Sequence, residues 1–352
     1  MSTHRSDRPS RLRRAASLLR PRALAERARS SAQLLERQER LVHQVEALTA
    51  EVQSLAAKLE TTALKEQQLR AVLTSDVDAD DRVLGFQTML GGADLDQHIR
   101  KAVRKAQLHL DPFPYCVIDG LFPRAYYHAL IEAIPPVELF GDRPVNKQQL
   151  VVPFHFAPKY SRVVWSHMAD VAATDMIAPA LLEKFREPLT DWLRCNFPAL
   201  GTDPLRAIEM KCSDGRIMLR RPGYRILPHR DPKWGFVTCL MYLARPGDEP
   251  RWGTQIFRVK EDQEAQGASP HWIPDEQCEF VTDVEFVANR ALVFLNSVGA
   301  HGAHIPADAQ PPDLERYTYQ FRVGPERQSM EAIRSTLSAE QQPLWAGKVS
   351  RY

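Results

Sequence analysis

Between Arg206 and Val323 the chain falls into short apolar bursts, at Ile217–Leu219, Val237–Leu243, Thr254–Val259, Phe280–Phe286, Ala291–Leu295 and Tyr317–Val323. Glycine and proline punctuate these bursts, and no helix-length stretch separates them. Strands that follow one another without crossover helices must bury their apolar faces by stacking two sheets or closing a barrel. The pattern therefore predicts a mainly β domain, sandwich or barrel, with helices at its flanks. Ahead of it, the spacing predicts a strand over Tyr115 to Ile118, a turn at Asp119-Gly120 and a helix from about Pro123. Helical character returns over 179–195, where Pro179 suits a first helical position and Pro188 kinks or splits the run.

A different period governs the N-terminal part. Leu34, Leu41, Leu48 and Leu55 are seven apart, Val45, Val52 and Leu59 fall between them, and neither Pro nor Gly occurs from Ala23 to Leu73. Alternating steps of four and three give a stripe as narrow as a coiled-coil seam. Leu at one seam position and mostly Val at the other favour a parallel two-stranded coil, so a homodimer through residues 34–73 is expected. A single amphipathic helix folded back on the domain is the other reading. Residues 1–29 hold nine Arg against Asp7 and Glu26, although the whole chain carries only +2. Residues 1–22 read as a basic disordered tail with weak affinity for an anionic surface, and no specific nucleic-acid motif occurs. The expected organisation is tail 1–22, coiled coil 23–73, linker with a short helix 74–110, globular domain 111–326, and C-terminal helix and tail 327–352. No apolar run approaches the roughly 20 residues of a membrane span. The five cysteines are scattered and never form C-x-x-C, which points to free thiols and a reducing cytoplasm.

The segment GYRILPHRDPKWGFVTCLMYL holds His229 and Asp231 two residues apart. On an extended backbone such residues point to the same face, so one imidazole and one carboxylate can converge on a single ion. A third ligand must come from elsewhere; His301 and His304, in NRALVFLNSVGAHGAHIP, are the candidates. Two His and one carboxylate on one face of an octahedral ion leave three positions open, the arrangement of non-haem Fe(II) oxygenases. His155, His167 and His271 lack partners at ligand spacing. Arg216, Arg220, Arg221 and Arg225 read either as a solvated sheet face or as an entrance for an anionic substrate.

At this point the chain resembles the 2-oxoglutarate- and Fe(II)-dependent oxygenase superfamily, in its prolyl 4-hydroxylase-like branch, over roughly Asp111 to Gly324. PFPYCVIDGLFP is similar to the opening of such domains, and GYRILPHRD to the strand carrying the proximal His and Asp. Gly253-Thr254 is similar to the family's G-G-x-T/L turn, with Trp252 in place of the first Gly. NRALVFLNSVGAHG is similar to the segment ending in the distal His-Gly, which favours His301 over His304.

The resemblance implies a double-stranded β-helix, or jelly roll, with His229, Asp231 and His301 holding Fe(II). It implies that Arg316 pairs with the distal carboxylate of 2-oxoglutarate, that Thr318 shares this task, and that Tyr224 lines the cosubstrate pocket. The implied reaction uses O2 and 2-oxoglutarate, stimulated by ascorbate, to hydroxylate a C–H bond of a small-molecule, glycan or peptide substrate with release of succinate and CO2. Asp231 favours hydroxylation or desaturation over halogenation. Two rival readings stand beside it: a catalytically silent jelly-roll scaffold assembled by the coiled coil, and a cupin-like metal enzyme such as an isomerase.

Overall fold

The computed structural model describes residues 10–92, 94–143, 147–231, 234–260, 271–296 and 298–342. The chain divides after Gln67 into two units, and its first helix, α1, runs over Ser10–Ser75. Helix therefore begins at Ser10 rather than near residue 23, because Arg11 to Leu19 is composed mostly of strong helix formers; residues 1–9 of the expected tail lie outside the described residues. The heptad stripe is solvent-facing: Leu34, Leu41, Leu48 and Leu55 are 53–64% exposed, and Val45, Val52 and Leu59 are 61–71% exposed.

In the second unit, strands β1 (Leu108–His109), β2 (Tyr115–Asp119), β3 (Gly141–Arg143) and β4 (Lys147–Val151) precede the main β body. That body comprises β5 (Met210–Arg220), β6 (Arg225–Arg230), β7 (Val237–Tyr242), β8 (Thr254–Val259), β9 (His271–Trp272), β10 (Cys278–Val284), β11 (Arg290–Leu295), β12 (Ala300–His304) and β13 (Arg316–Pro325). One sheet has the order β1-β2-β11-β7-β13-β5-β4-β3 and the other β10-β8-β12-β6-β9. Every pairing is antiparallel. The chain passes from sheet to sheet along β5-β6-β7-β8 and again along β10-β11-β12-β13. Four strands of each sheet thus wind into the double-stranded β-helix that the short apolar bursts require.

Period-two burial gives the larger sheet two working faces. Ile217, Leu219, Cys239, Met241, Val293, Tyr319 and Phe321 face a core shared with the helices. Their neighbours Met218, Leu240, Tyr242, Leu292 and Phe294 face Ile256 and Val284 of the smaller sheet. Strand β13 is buried along its entire length.

The helices are α2 (Ala79–Gly92), α3 (Leu95–Lys105), α4 (Arg124–Glu132), α5 (Lys159–Ser166), α6 (Ala178–Lys184), α7 (Arg186–Asn196) and α8 (Arg327–Ser335). Val72, Val83, Phe86, Ile99 and Val103 are buried in the main core. The segment expected as a linker with a short helix thus holds that helix as α3, and α2 ahead of it as well, both with apolar inner faces. A helical run also unites α5, a π-helical stretch over His167–Ile177 and α6, most of which the sequence reading passed over. The run splits from α7 at Phe185, since Pro188 has no N–H to donate to the Lys184 carbonyl. Of the C-terminal tail, residues from 343 on lie outside the described residues. All five cysteines are free, and no described helix is long and apolar enough to cross a membrane.

Candidate metal centre and its cavity

His229 lies on β6 and Asp231 immediately follows it, while His301 on β12 is the direct register partner of His229. Period two aligns the first pair and strand pairing supplies the third residue. One ligand atom from each lies within 4.8 Å of the others, and all three residues are buried. The two imidazole centroids are 4.3 Å apart. His304 is exposed, three residues along the strand from His301, so the alternative ligand faces away. Gly302 explains the small residue beside the ligand: a Cβ there would come within 2.9 Å of the Ile226 carbonyl of β6.

Hydrogen bonds fix how each group is presented. The His229 Nδ1–H donates to the Leu227 carbonyl (2.8 Å), which leaves the Nε2 lone pair free for an ion. Burial lowers both imidazoles from their ordinary value; for His301, burial first and the His229 ring second bring it to about 3. Both are therefore neutral donors at ordinary pH. Asp231 is held from several sides. Thr238 Oγ1 donates to its Oδ2 (2.7 Å) and Gln320 Nε2 donates to the same oxygen (3.1 Å), while Arg322 Nη2 pairs with Oδ1 at 2.9 Å. Burial alone would raise this carboxyl, yet the Arg322 guanidinium and the His301 and His229 rings together outweigh it and hold Asp231 well below the usual carboxylate range. Asn296 continues the network, with its Oδ1 2.9 Å from Thr238 Oγ1.

These residues open onto a cavity of about 270 Å³, whose lining includes Lys147, Arg216, Arg220, Tyr224, Thr254, Gln320 and Arg322 with apolar Met218, Leu240 and Phe294. Tyr224 is thus beside the triad. Arg316 and Thr318 continue the inward face of β13 beyond Gln320 and do not line this cavity themselves. Arg316 is 1% exposed, and its Nε, Nη1 and Nη2 have no hydrogen-bond partner; the Thr318 hydroxyl is equally unsatisfied. A buried unpaired guanidinium is costly, and the aromatic faces of Phe286 and Trp252, 4.5 and 5.7 Å away, offset only part of that cost. An oxyanion with two acceptor atoms is the complement this pair lacks. Trp252 adopts φ 59, the left-handed conformation that glycine would supply in the family turn, and at the next residue a Cβ on Gly253 would collide with the Val284 carbonyl.

The sequence reading missed Arg322, Thr238, Gln320, Asn296 and Lys147. For Gln320 and Arg322 the signal is parity: Arg316, Thr318, Gln320 and Arg322 alternate with Tyr317, Tyr319, Phe321 and Val323, which marks a second, polar interior face. The arginine cluster divides the same way. Arg216 and Arg220 line the cavity, Arg221 pairs with Glu315 at 2.9 Å, and Arg225 is exposed. His155 is exposed, and His167 lies 2.9 Å from the Tyr126 hydroxyl, so neither joins the centre.

No protein-family model matches the sequence, and no curated protein matches it. Several solved structures are similar in shape at low identity. HygX from Streptomyces hygroscopicus, with nickel, 2-oxoglutarate and hygromycin B bound, is 14% identical over 60% of this chain and 83% of its own (TM-score 0.36). A Pseudomonas putida prolyl-4-hydroxylase is 16% identical over 65% of this chain and 99% of its own (TM-score 0.34). A Trichoplax adhaerens prolyl hydroxylase in complex with a hypoxia inducible factor peptide is 13% identical over 69% of this chain and 92% of its own (TM-score 0.37).

Proposed function

We propose that this chain is an Fe(II)- and 2-oxoglutarate-dependent oxygenase that hydroxylates a C–H bond of its substrate, consuming O2 and releasing succinate and CO2. One observation carries the reading: two neutral imidazoles and one ionised carboxylate, all buried, offer ligand atoms within 4.8 Å of one another beside a cavity. His229, Asp231 and His301 would hold the iron. The unsatisfied Arg316 and Thr318 would take the distal carboxylate of 2-oxoglutarate, and Tyr224 would line its pocket.

Iron(II) bound at this centre would supply O2 activation coupled to the oxidative decarboxylation of 2-oxoglutarate. The chain's own residues do the rest. Leu227 holds the His229 ring in one tautomer. Arg322, Thr238 and Gln320 keep Asp231 ionised and fix its plane, which leaves Oδ1 a lone pair directed away from Arg322. Met218, Leu240 and Phe294 supply apolar wall that keeps water from the reacting atoms. A silent scaffold has no use for an orphaned guanidinium behind a metal-competent triad, and an isomerase without 2-oxoglutarate has no use for the Arg316–Thr318 pair. The test is succinate release from 2-oxoglutarate by the purified full chain supplied with iron and ascorbate, followed by a screen for substrates that stimulate it. Absence of iron-dependent succinate under every substrate class tried would remove the proposal.

A further inference from the structure

Across three neighbouring strands the register sets Lys147 opposite Arg220, and Arg220 opposite Arg316. Directly paired residues share a face, so three cations stand in one row at roughly 5 Å intervals on the inward side of the sheet. Like charges placed this way repel. Neither Lys147 nor Arg220 forms an ion pair with any described carboxylate, and the Arg220 Nε has no hydrogen-bond partner although the residue is only 7% exposed. Asp231, the one carboxylate that lines the cavity among the described residues, is already taken by Arg322, which leaves the charges of Lys147 and Arg220 as a surplus.

Iron(II) and 2-oxoglutarate carry opposite double charges, so the pair proposed above would not relieve this surplus. With the cosubstrate's distal carboxylate assigned to Arg316, the Lys147–Arg220 end of the row is left over. We propose that Lys147 and Arg220 bind a phosphate group on the substrate, so that the reaction acts on a phosphorylated small molecule. This rests on the oxygenase reading. A phosphate ester dianion matches the surplus better than a monocarboxylate, and its three terminal oxygens suit a planar guanidinium fork beside a compact ammonium. The Tyr224 ring, 5.1 Å from the Arg220 guanidinium, backs one face of that fork and leaves its edge for the anion.

The test is calorimetry on the full chain loaded with Mn(II), with inorganic phosphate titrated in the presence of saturating 2-oxoglutarate, acetate titrated in parallel, and 2-oxoglutarate titrated separately. Phosphate should bind at least about tenfold tighter than acetate. Arg220→Gln and Lys147→Gln should each weaken phosphate by about tenfold or more, Lys147→Arg should retain most of it, and Arg316→Gln should weaken 2-oxoglutarate instead. The proposal is overturned if the parent chain does not bind phosphate, if acetate binds equally well, or if Arg220→Gln weakens 2-oxoglutarate as much as Arg316→Gln does. Phosphate binding that depends on Arg220 in a chain that fails to bind 2-oxoglutarate would uphold the anion site and sink the oxygenase reading.

Discussion

Lys147 is the residue whose replacement tests the cavity's electrostatics most directly. Burial, followed by the Arg220 and Arg216 guanidiniums, lowers its ammonium from 10.5 to about 8. A shift of that size corresponds to about 3 kcal/mol of disfavour for the charged form. The side chain is partly exposed, and solvent screening reduces the expected figure to about 1–2 kcal/mol. The folded value lies below the unfolded one, so the penalty is fully present below about pH 8 and is relieved as pH rises towards 10.5. Lys147→Met should therefore stabilise the metal-free chain by about 1–2 kcal/mol near pH 7, and the gap from the parent should shrink to less than half by about pH 9.5. Urea denaturation at the two pH values, read by far-UV dichroism, measures this. A variant no more stable than the parent near pH 7, or a gap that does not change with pH, would refute the reasoning.

Asp231→Ala should abolish iron-dependent succinate release and also cost about 3–5 kcal/mol of stability, because it breaks a buried ion pair with Arg322; Asp231→Asn should lose the turnover with a smaller denaturation shift. His301→Ala should be inactive in the same assay while His304→Ala keeps the parent rate, since only the first side chain faces the centre. Arg316→Ala should raise the 2-oxoglutarate half-saturation at least about tenfold, with Arg316→Lys a partial rescue because an ammonium cannot reproduce the guanidinium fork. From the heptad spacing of Leu34 to Leu59 we propose a coiled-coil dimer; a chain beginning at Gln68 should be monomeric by light scattering while the full chain is dimeric, and equal masses per particle would discount the pairing.

What the sequence announced and what it hid follow from the kind of signal each element carries. The six apolar bursts all fall on strands, because short runs rich in β-branched and aromatic residues have few other uses. Strand β12 (AHGAH) and strand β4 (KQQLV) escaped, since their sequences show little intrinsic preference and their conformation is imposed by the strands beside them. His229 and Asp231 were legible because their relation is local, two residues along one strand. His301 was reached through the resemblance of its His-Gly segment, since its place opposite His229 is a matter of register that no local spacing shows. Arg322 stayed hidden because an arginine flanked by Phe321 and Val323 looks like the solvent-facing member of an alternating strand; in β13 both faces are interior. The short helix expected in the 74–110 segment is α3, which buries Ile99, whereas α2 went unread beside an acidic stretch although it buries Phe86.

The position of the β3–β4 hairpin has an evolutionary meaning. It lies at the rim of the larger sheet, outside the eight strands that wind the two sheets together, and β3 has a neighbour on one side only. Strand β13, which carries Arg316 and Thr318, is enclosed on both faces and paired on both edges. A change in β13 disturbs packing in every direction, whereas β3 is exposed along its length and β4 is only half-buried. Determinants of the common chemistry thus occupy the stiffest, least replaceable strand, and a determinant of substrate choice occupies one of the most replaceable. A lineage built on this frame can alter the anion anchor proposed for the substrate by replacing Lys147, at the start of β4, while the sequence of β13 stays as it is.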